Sequence, residues 1–98
     1  MAIKALITRQ FKSGNLKEVS QLLNRIRYSA MGQKGYISSE TLSDYENPNR
    51  ILVVSMWRSR DDWMAWKDSP VRGEYESAMD KLLEEPTQYE VYELGMKS

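Results

Sequence analysis

The residues of this chain best equipped for chemistry are aromatic and bunched together. All three tryptophans, Trp57, Trp63 and Trp66, fall within ten positions. An indole offers a large flat face and one N–H donor, so it can stack on an aromatic ligand and orient it with a single hydrogen bond. Trp66 is the first candidate for a pocket wall. Trp63, three residues earlier, shares its helix face and reads as core, and Trp57 closes an apolar strand and reads as structural. Tyr75 and Arg72 come next. A phenol at 75 could hydrogen-bond a substrate oxygen or act as an acid, and a guanidinium at 72 could steer a phenolate. Each has a plainer role open to it: Trp66 packing a short helix on a sheet, Tyr75 packed with its hydroxyl satisfied, Arg72 solvated. Met31, Met56, Met64 and Met79 could line an adaptable pocket, but their spacing equally suits core positions.

What is absent narrows the chemistry further. There is no histidine and no cysteine. The first absence removes the commonest general base, the commonest metal ligand and the usual haem ligand together. The second removes thiol nucleophiles and disulfides. Histidine-dependent triads and His-ligated zinc sites are therefore excluded. The acidic pairs Asp61-Asp62 and Glu84-Glu85 resemble metal ligands only superficially, because adjacent helical residues do not face each other. No metal site and no cofactor is expected.

Charge and hydropathy bound the partners. Fourteen basic residues balance fourteen acidic ones, whereas a nucleic-acid surface needs a clustered basic excess. No apolar run approaches the roughly 18 residues of a membrane span, and the N-terminus lacks the pattern of a signal peptide. The expectation is a soluble cytoplasmic protein, with no nucleic-acid and no membrane partner. The 98 residues are expected to form one domain over 1–98. A chain this short buries only about two-thirds of its unfolded surface, so a second subunit would help it.

The elements that must hold these residues follow from periodicity. Ile3 to Phe11 reads as a strand, with Ile3, Ala5, Ile7, Arg9 and Phe11 on one face and Lys4, Leu6, Thr8 and Gln10 on the other; both faces carry apolar residues, which suggests cover on both. Asn15 opens a helix in a capping-box arrangement with Glu18, and Leu16, Val19, Leu22, Leu23 and Ile26 form its stripe up to a stop at Gly32. Tyr36 to Tyr45 is a more polar strand, with Ile37, Ser39, Thr41, Ser43 and Tyr45 on one face and Tyr36, Ser38, Glu40, Leu42 and Asp44 on the other. A turn at Glu46-Asn47-Pro48-Asn49 joins it to the apolar strand Arg50 to Trp57. Ser59 caps a short helix carrying Asp61 and Asp62 in its first turn. Ser69 and Pro70 start another, with Val71, Tyr75, Ala78, Met79 and Leu82 as its stripe and Pro86 beyond its end. Tyr89 to Leu94 is the last strand, and the tail from Gly95 to Ser98 is expected to fray.

Strand, helix, strand, strand, helix, strand is the order of the split βαβ unit. The predicted fold is α+β: a ferredoxin-like βαββαβ protomer with a four-stranded antiparallel sheet. Its helices cover one sheet face. The other face still carries isoleucine and valine, and a second copy is its simplest cover, giving a homodimer in the form of a dimeric α/β barrel.

The run Met56-Trp57-Arg58-Ser59-Arg60-Asp61-Asp62-Trp63-Met64-Ala65-Trp66-Lys67-Asp68-Ser69 after a β-hairpin, with the Gly35-Tyr36 strand opening, resembles the antibiotic biosynthesis monooxygenase (ABM) domain. The resemblance covers nearly the whole chain. It implies a homodimer with a pocket in each subunit between helices and sheet, and an activity among cofactor-independent monooxygenases of aromatic phenols, quinol oxygenases and haem-degrading enzymes. Trp66 corresponds to the pocket tryptophan of the haem-degrading branch. That branch's first-strand asparagine would fall near Thr8, and its axial histidine near Glu76. With both replaced, haem degradation is not expected. The expected activity is oxidation of a small phenol or quinol by O₂, with Trp66 shaping the pocket and Tyr75, Thr8 or Arg72 holding the substrate oxygen. The alternatives are a non-catalytic dimer that binds a small hydrophobic molecule, and a dimer whose pocket is filled by its own side chains.

Overall fold

The alternation of the first strand, β1 (Ile3–Gln10), decides how the molecule is built. In the computed structural model, which describes residues 1–96, Ile3, Ala5, Ile7 and Arg9 are buried on one face, while Lys4, Leu6, Thr8 and Gln10 turn to the other. Around β1 the chain adds α1 (Leu16–Met31), β2 (Tyr36–Ser43), β3 (Arg50–Trp57), α2 (Arg60–Lys67), α3 (Pro70–Asp80) and β4 (Gln88–Glu93). The four strands form one antiparallel sheet in the order β2-β3-β1-β4. This is the α+β, ferredoxin-like arrangement expected from the sequence, with the second crossover divided into two helices. Part of the frayed-tail expectation, from 97 on, lies outside the described residues.

The helices pack on the face that carries Ile3, Ala5 and Ile7. Register places Trp57 beside Ile3, Ser55 beside Ala5 and Val53 beside Ile7. One core cluster joins these residues to Ala30 of α1 and to Trp63 and Trp66 of α2. A second, towards the other end of the sheet, gathers Phe11, Val19, Leu23, Ile51 and Met79. Phe11 lies just past β1, where it bridges to Leu83 after α3. On the opposite face Leu6, Leu52, Val54 and Met56 are half-exposed and Leu42 is exposed; nothing in the described chain covers them.

Local chemistry explains the boundaries. The hydroxyls of Ser59 and Ser69 accept from the backbone N–H of Asp62 (3.1 Å) and Arg72 (3.2 Å), as helix-capping serines do. Asn15 makes no such bond. Its side-chain amide turns back to the carbonyls of Lys12 and Ser13, so the expected capping box does not form. In the β2–β3 hairpin the Asp44 carboxylate accepts from the N–H groups of Glu46 and Asn47 at 2.9 and 3.1 Å, which ends β2 at Ser43, short of the expected Tyr45.

Two faces differ from the sequence expectation. A bulge between Tyr36 and Ser38 inserts one residue into β2. It moves Tyr36 to the face of Ser39 and Thr41, opposite the alternation read for this strand. In α3 the inward residues include Arg72 and Met79, whereas Val71 is exposed. Tyr75, Met79 and Leu82 pack inside as expected, and only at the start of the helix does Arg72 replace Val71 on the buried side. Gly35, with φ +84°, precedes the bulge, and a Cβ there would stand 2.2 Å from an Asp62 carboxylate oxygen. Only glycine lets β2 begin so close to the start of α2.

Candidate functional site

The helix-covered face of the sheet, α1 and α2 enclose a cavity of about 40 Å³. That is room for about one water molecule. Its walls are built by strand parity and helix spacing: Ile7 and Arg9 from β1, Val53, Ser55 and Trp57 from β3, Tyr36, Ser39 and Thr41 from β2, Trp63 and Trp66 from α2, and Arg72 from α3. Leu23, Ile26, Arg27 and Ala30 of α1 close the remaining side. A surface groove of about 440 Å³ between α1 and β2 shares Leu23, Arg27 and Thr41 with the cavity. Arg27 and Thr41 are exposed, so the cavity and this groove adjoin at the protein surface.

An aromatic path crosses the site. Tyr36 meets Trp57 edge-on at 5.6 Å between ring centroids, Trp57 meets Trp63 at 6.0 Å, and Trp63 meets Tyr89 of β4 at 6.3 Å. The indole N–H of Trp57 donates to Ser55 Oγ at 3.1 Å, and the Tyr36 hydroxyl lies 2.7 Å from Ser39 Oγ.

The polar end of the cavity is a buried charge cluster. Arg9 and Arg72 are only 2% and 3% exposed, and both donate to one carboxylate oxygen of Glu76, Arg72 at 3.1 Å. Arg72 also donates to the Tyr89 hydroxyl at 3.1 Å and to the Lys67 carbonyl at 3.5 Å. Its guanidinium lies 5.6 Å from the Trp63 ring centre and 5.4 Å from that of Tyr89, within cation–π range. Buried charges survive only when paired and hydrogen-bonded. Glu76, half-buried one turn after Arg72, supplies that pairing. The Nε–H of Arg9, by contrast, is buried without a partner among the described residues, at a cost of roughly 1–3 kcal/mol.

Of the residues singled out from sequence, Trp66 and Arg72 stand together on the cavity wall. Arg72 is not the solvated residue that a surface reading would make it. Tyr75 is elsewhere: its hydroxyl lies 3.3 Å from Ser29 Oγ and its ring packs on the second core cluster. Thr8 is on the opposite face of the sheet, in a shallow hollow with Leu42, Ser43, Asp44, Arg50 and Leu52. Met79 is core and Met31 is exposed, and none of the four methionines first considered lines the cavity. Asp61 and Asp62 start α2, while Glu84 and Glu85 border an open groove of about 680 Å³ on the far side of Arg72. Glu76 pairs with two guanidiniums. Arg9 is the functional candidate that the sequence reading passed over. Its signal was a charged residue on the parity of Ile3, Ala5 and Ile7.

Comparison with known proteins agrees with this architecture. The fold is similar to that of SnoaB, a cofactor-independent oxygenase from Streptomyces nogalater, with TM-score 0.86 at 12% identity over 98% of this chain and 95% of that one. A conserved protein from Methanosarcina mazei Go1 superposes with TM-score 0.87 at 18% identity, covering 94% of this chain and 91% of the other. Protein SchA of Streptomyces halstedii is 25% identical over 67 residues, 68% of this chain, and the aligned part spans only 18% of SchA. Residues 2–78, which carry the first core cluster, the tryptophan run and the three cavity arginines, match the family described as antibiotic biosynthesis monooxygenase, and the chain belongs to that family.

Proposed function

We propose that the protein is a cofactor-independent monooxygenase that oxidises a small phenol or quinol with O₂ in the cavity between the helices and the sheet. The observation that carries this reading is the pairing of Trp66 with Arg72 on one buried wall. The tryptophan supplies a flat apolar surface for an aromatic ring. The guanidinium favours the ionised form of the phenol, since an opposite charge within about 4–6 Å lowers a pKa by roughly 1–3 units. Among the described residues no cavity-lining side chain is a carboxylate or a histidine, so on this reading the phenol proton leaves to water on the α1–β2 side. The phenolate is electron-rich and transfers one electron to O₂. The resulting phenoxyl radical and superoxide combine at a ring carbon, the peroxide regains a proton from water, and loss of water from the hydroperoxide leaves a quinone. Overall a phenol and O₂ give a quinone and water, and the substrate supplies all the electrons. The protein contributes orientation, a dry wall and a fixed positive charge.

A drug-sized ligand needs about 300 Å³ or more, whereas the closed cavity holds about 40 Å³. Substrate entry on this reading swings Arg27 aside and parts α1 from β2, merging the cavity with the adjoining groove. Tyr75 and Thr8 have no part in the mechanism, because neither lines the cavity. The half-exposed face of Leu6, Leu52, Val54 and Met56 is proposed to pair with that of a second copy, making a homodimer; Val54→Asp should then sediment as a monomer where the wild type sediments as a dimer. The direct test of function is O₂ uptake with a panel of phenols and hydroquinones, comparing the wild type with Trp66→Ala and Arg72→Met. Uptake that depends on the protein and drops at least tenfold in both variants supports the proposal. Protein-dependent uptake that both variants retain in full would move the reaction away from this cavity.

A further inference from the structure

The cavity is positively charged in a chain whose net charge is zero. Among the described residues three arginines line it, Arg9, Arg27 and Arg72, and no aspartate or glutamate does. Glu76 neutralises one of the two buried guanidiniums from behind, where it borders the outer groove. Arg9 and Arg72 with Glu76 thus leave one uncompensated positive charge at the closed end. Arg9, which lines the cavity, also carries an unused donor, its buried Nε–H. Arg72 is more fully engaged, donating to Glu76, the Tyr89 hydroxyl and the Lys67 carbonyl.

We propose that Arg9 is an anion-recognition residue and that the ligand of this cavity is an aromatic carboxylate. The argument for a carboxylate is one of standing charge. A guanidinium stays protonated at any ordinary pH, so the site offers its positive charge before any ligand arrives. A simple phenol is neutral near pH 7 and becomes an anion only once bound, whereas a carboxylate is ionised beforehand. A carboxylate oxygen accepts the Arg9 Nε–H and neutralises the leftover charge, while the ring lies against Trp66 and Trp63. Arg27, at the exposed mouth, attracts the same charge on the way in. Glu76 acts here as a positioning residue that holds Arg9 in place.

This inference rests on the cavity proposed above as the reaction site, but its test needs no turnover. Binding of benzoate, benzamide and phenol to the whole protein is measured by calorimetry and by tryptophan fluorescence. The three probes share one ring and differ in charge. Benzoate should bind about tenfold or more tightly than either neutral probe. Arg9→Met should erase that preference by weakening benzoate far more than benzamide, and Arg9→Lys should restore part of it. Equal affinities for the three probes, or no benzoate binding, overturn the proposal. So does an Arg9→Met protein that keeps the preference for benzoate. If Arg9→Met fails to fold, the wild-type ratio of benzoate to benzamide decides alone. O₂ uptake is then followed with 4-hydroxybenzoate. Preferential benzoate binding without any uptake would refute the oxygenase reading and leave the anion site standing. Uptake without a charge preference would do the reverse.

Discussion

Replacing Glu76 by glutamine tests the charge cluster that the whole site is built on. The Arg9 and Arg72 side chains are 2% and 4% exposed, and that of Glu76 is 15% exposed. Breaking a buried ion pair by removing one partner costs about 3–5 kcal/mol, because the remaining charge is left uncompensated. Two features reduce that figure here. Glutamine keeps an amide oxygen that can still accept from one guanidinium, and the residual exposure of position 76 allows some solvent screening. The expected loss is therefore about 2–3 kcal/mol, a large share of the roughly 5–15 kcal/mol that holds a domain together. At about 4–8 °C per kcal/mol for a chain of this size, Tm should fall by roughly 8–24 °C. The assay is thermal unfolding by circular dichroism, with urea titration to check that the slope is unchanged. Glu74→Gln is the control. It removes the same charge from an exposed position of the same helix and should stay within about 0.5 kcal/mol of the wild type. If Glu76→Gln melts with Glu74→Gln, the two guanidiniums do not depend on this carboxylate. The account of a desolvated, net-positive cavity end would then fail.

Three further perturbations probe the frame around the site. Ser55→Ala removes the acceptor of the buried Trp57 indole N–H, and urea unfolding should show a loss of about 1–3 kcal/mol; an unchanged midpoint would mean that the bond adds nothing. Gly35→Ala forces a side chain onto a backbone with φ +84° and into Asp62. It should cost at least about 1–2 kcal/mol, and a neutral result would show that the start of α2 yields freely. Tyr92, exposed on β4, donates to a Glu90 carboxylate oxygen at 2.7 Å. This hydrogen bond, with the negative charge of Glu90 behind it, raises the phenol above its ordinary value of 10.0. Both influences favour the protonated phenol, so Glu90→Gln should move one tyrosine to a lower pH in an ultraviolet titration. An identical titration curve would rule out the contact in solution.

Much of the fold was legible because its signals are local. Strand alternation in β1, the unbroken apolar run of β3, and the serines before α2 and α3 each depend on neighbours only a few residues away. The errors have local causes too, but ones that composition does not announce. The Tyr36–Ser38 bulge leaves no mark in hydropathy, yet one inserted residue carries Tyr36 from the outer face into the cavity wall. The Asn15 side chain had two backbone uses open to it, and the carbonyls of Lys12 and Ser13 won over the helix N–H groups. In α3, hydropathy ranked Val71 above Arg72, and the structure inverts that order.

That inversion shows why the site was harder to read than the fold. Hydropathy treats an arginine as a surface residue, and it is right unless a carboxylate and an aromatic wall wait inside. Arg9 and Glu76 are 67 positions apart, so their pairing exists only once the sheet has formed and α3 has docked across it. Thr8 enters only through a family position, and a one-residue step along a strand exchanges one face of the sheet for the other. The stronger clue was already in the chain. An arginine stood where parity demanded an apolar residue, and a chain that buries a guanidinium must also bury something to answer it. Glu76 answers one of two such charges. The second is the physical reason to expect that whatever enters this cavity brings a negative charge with it.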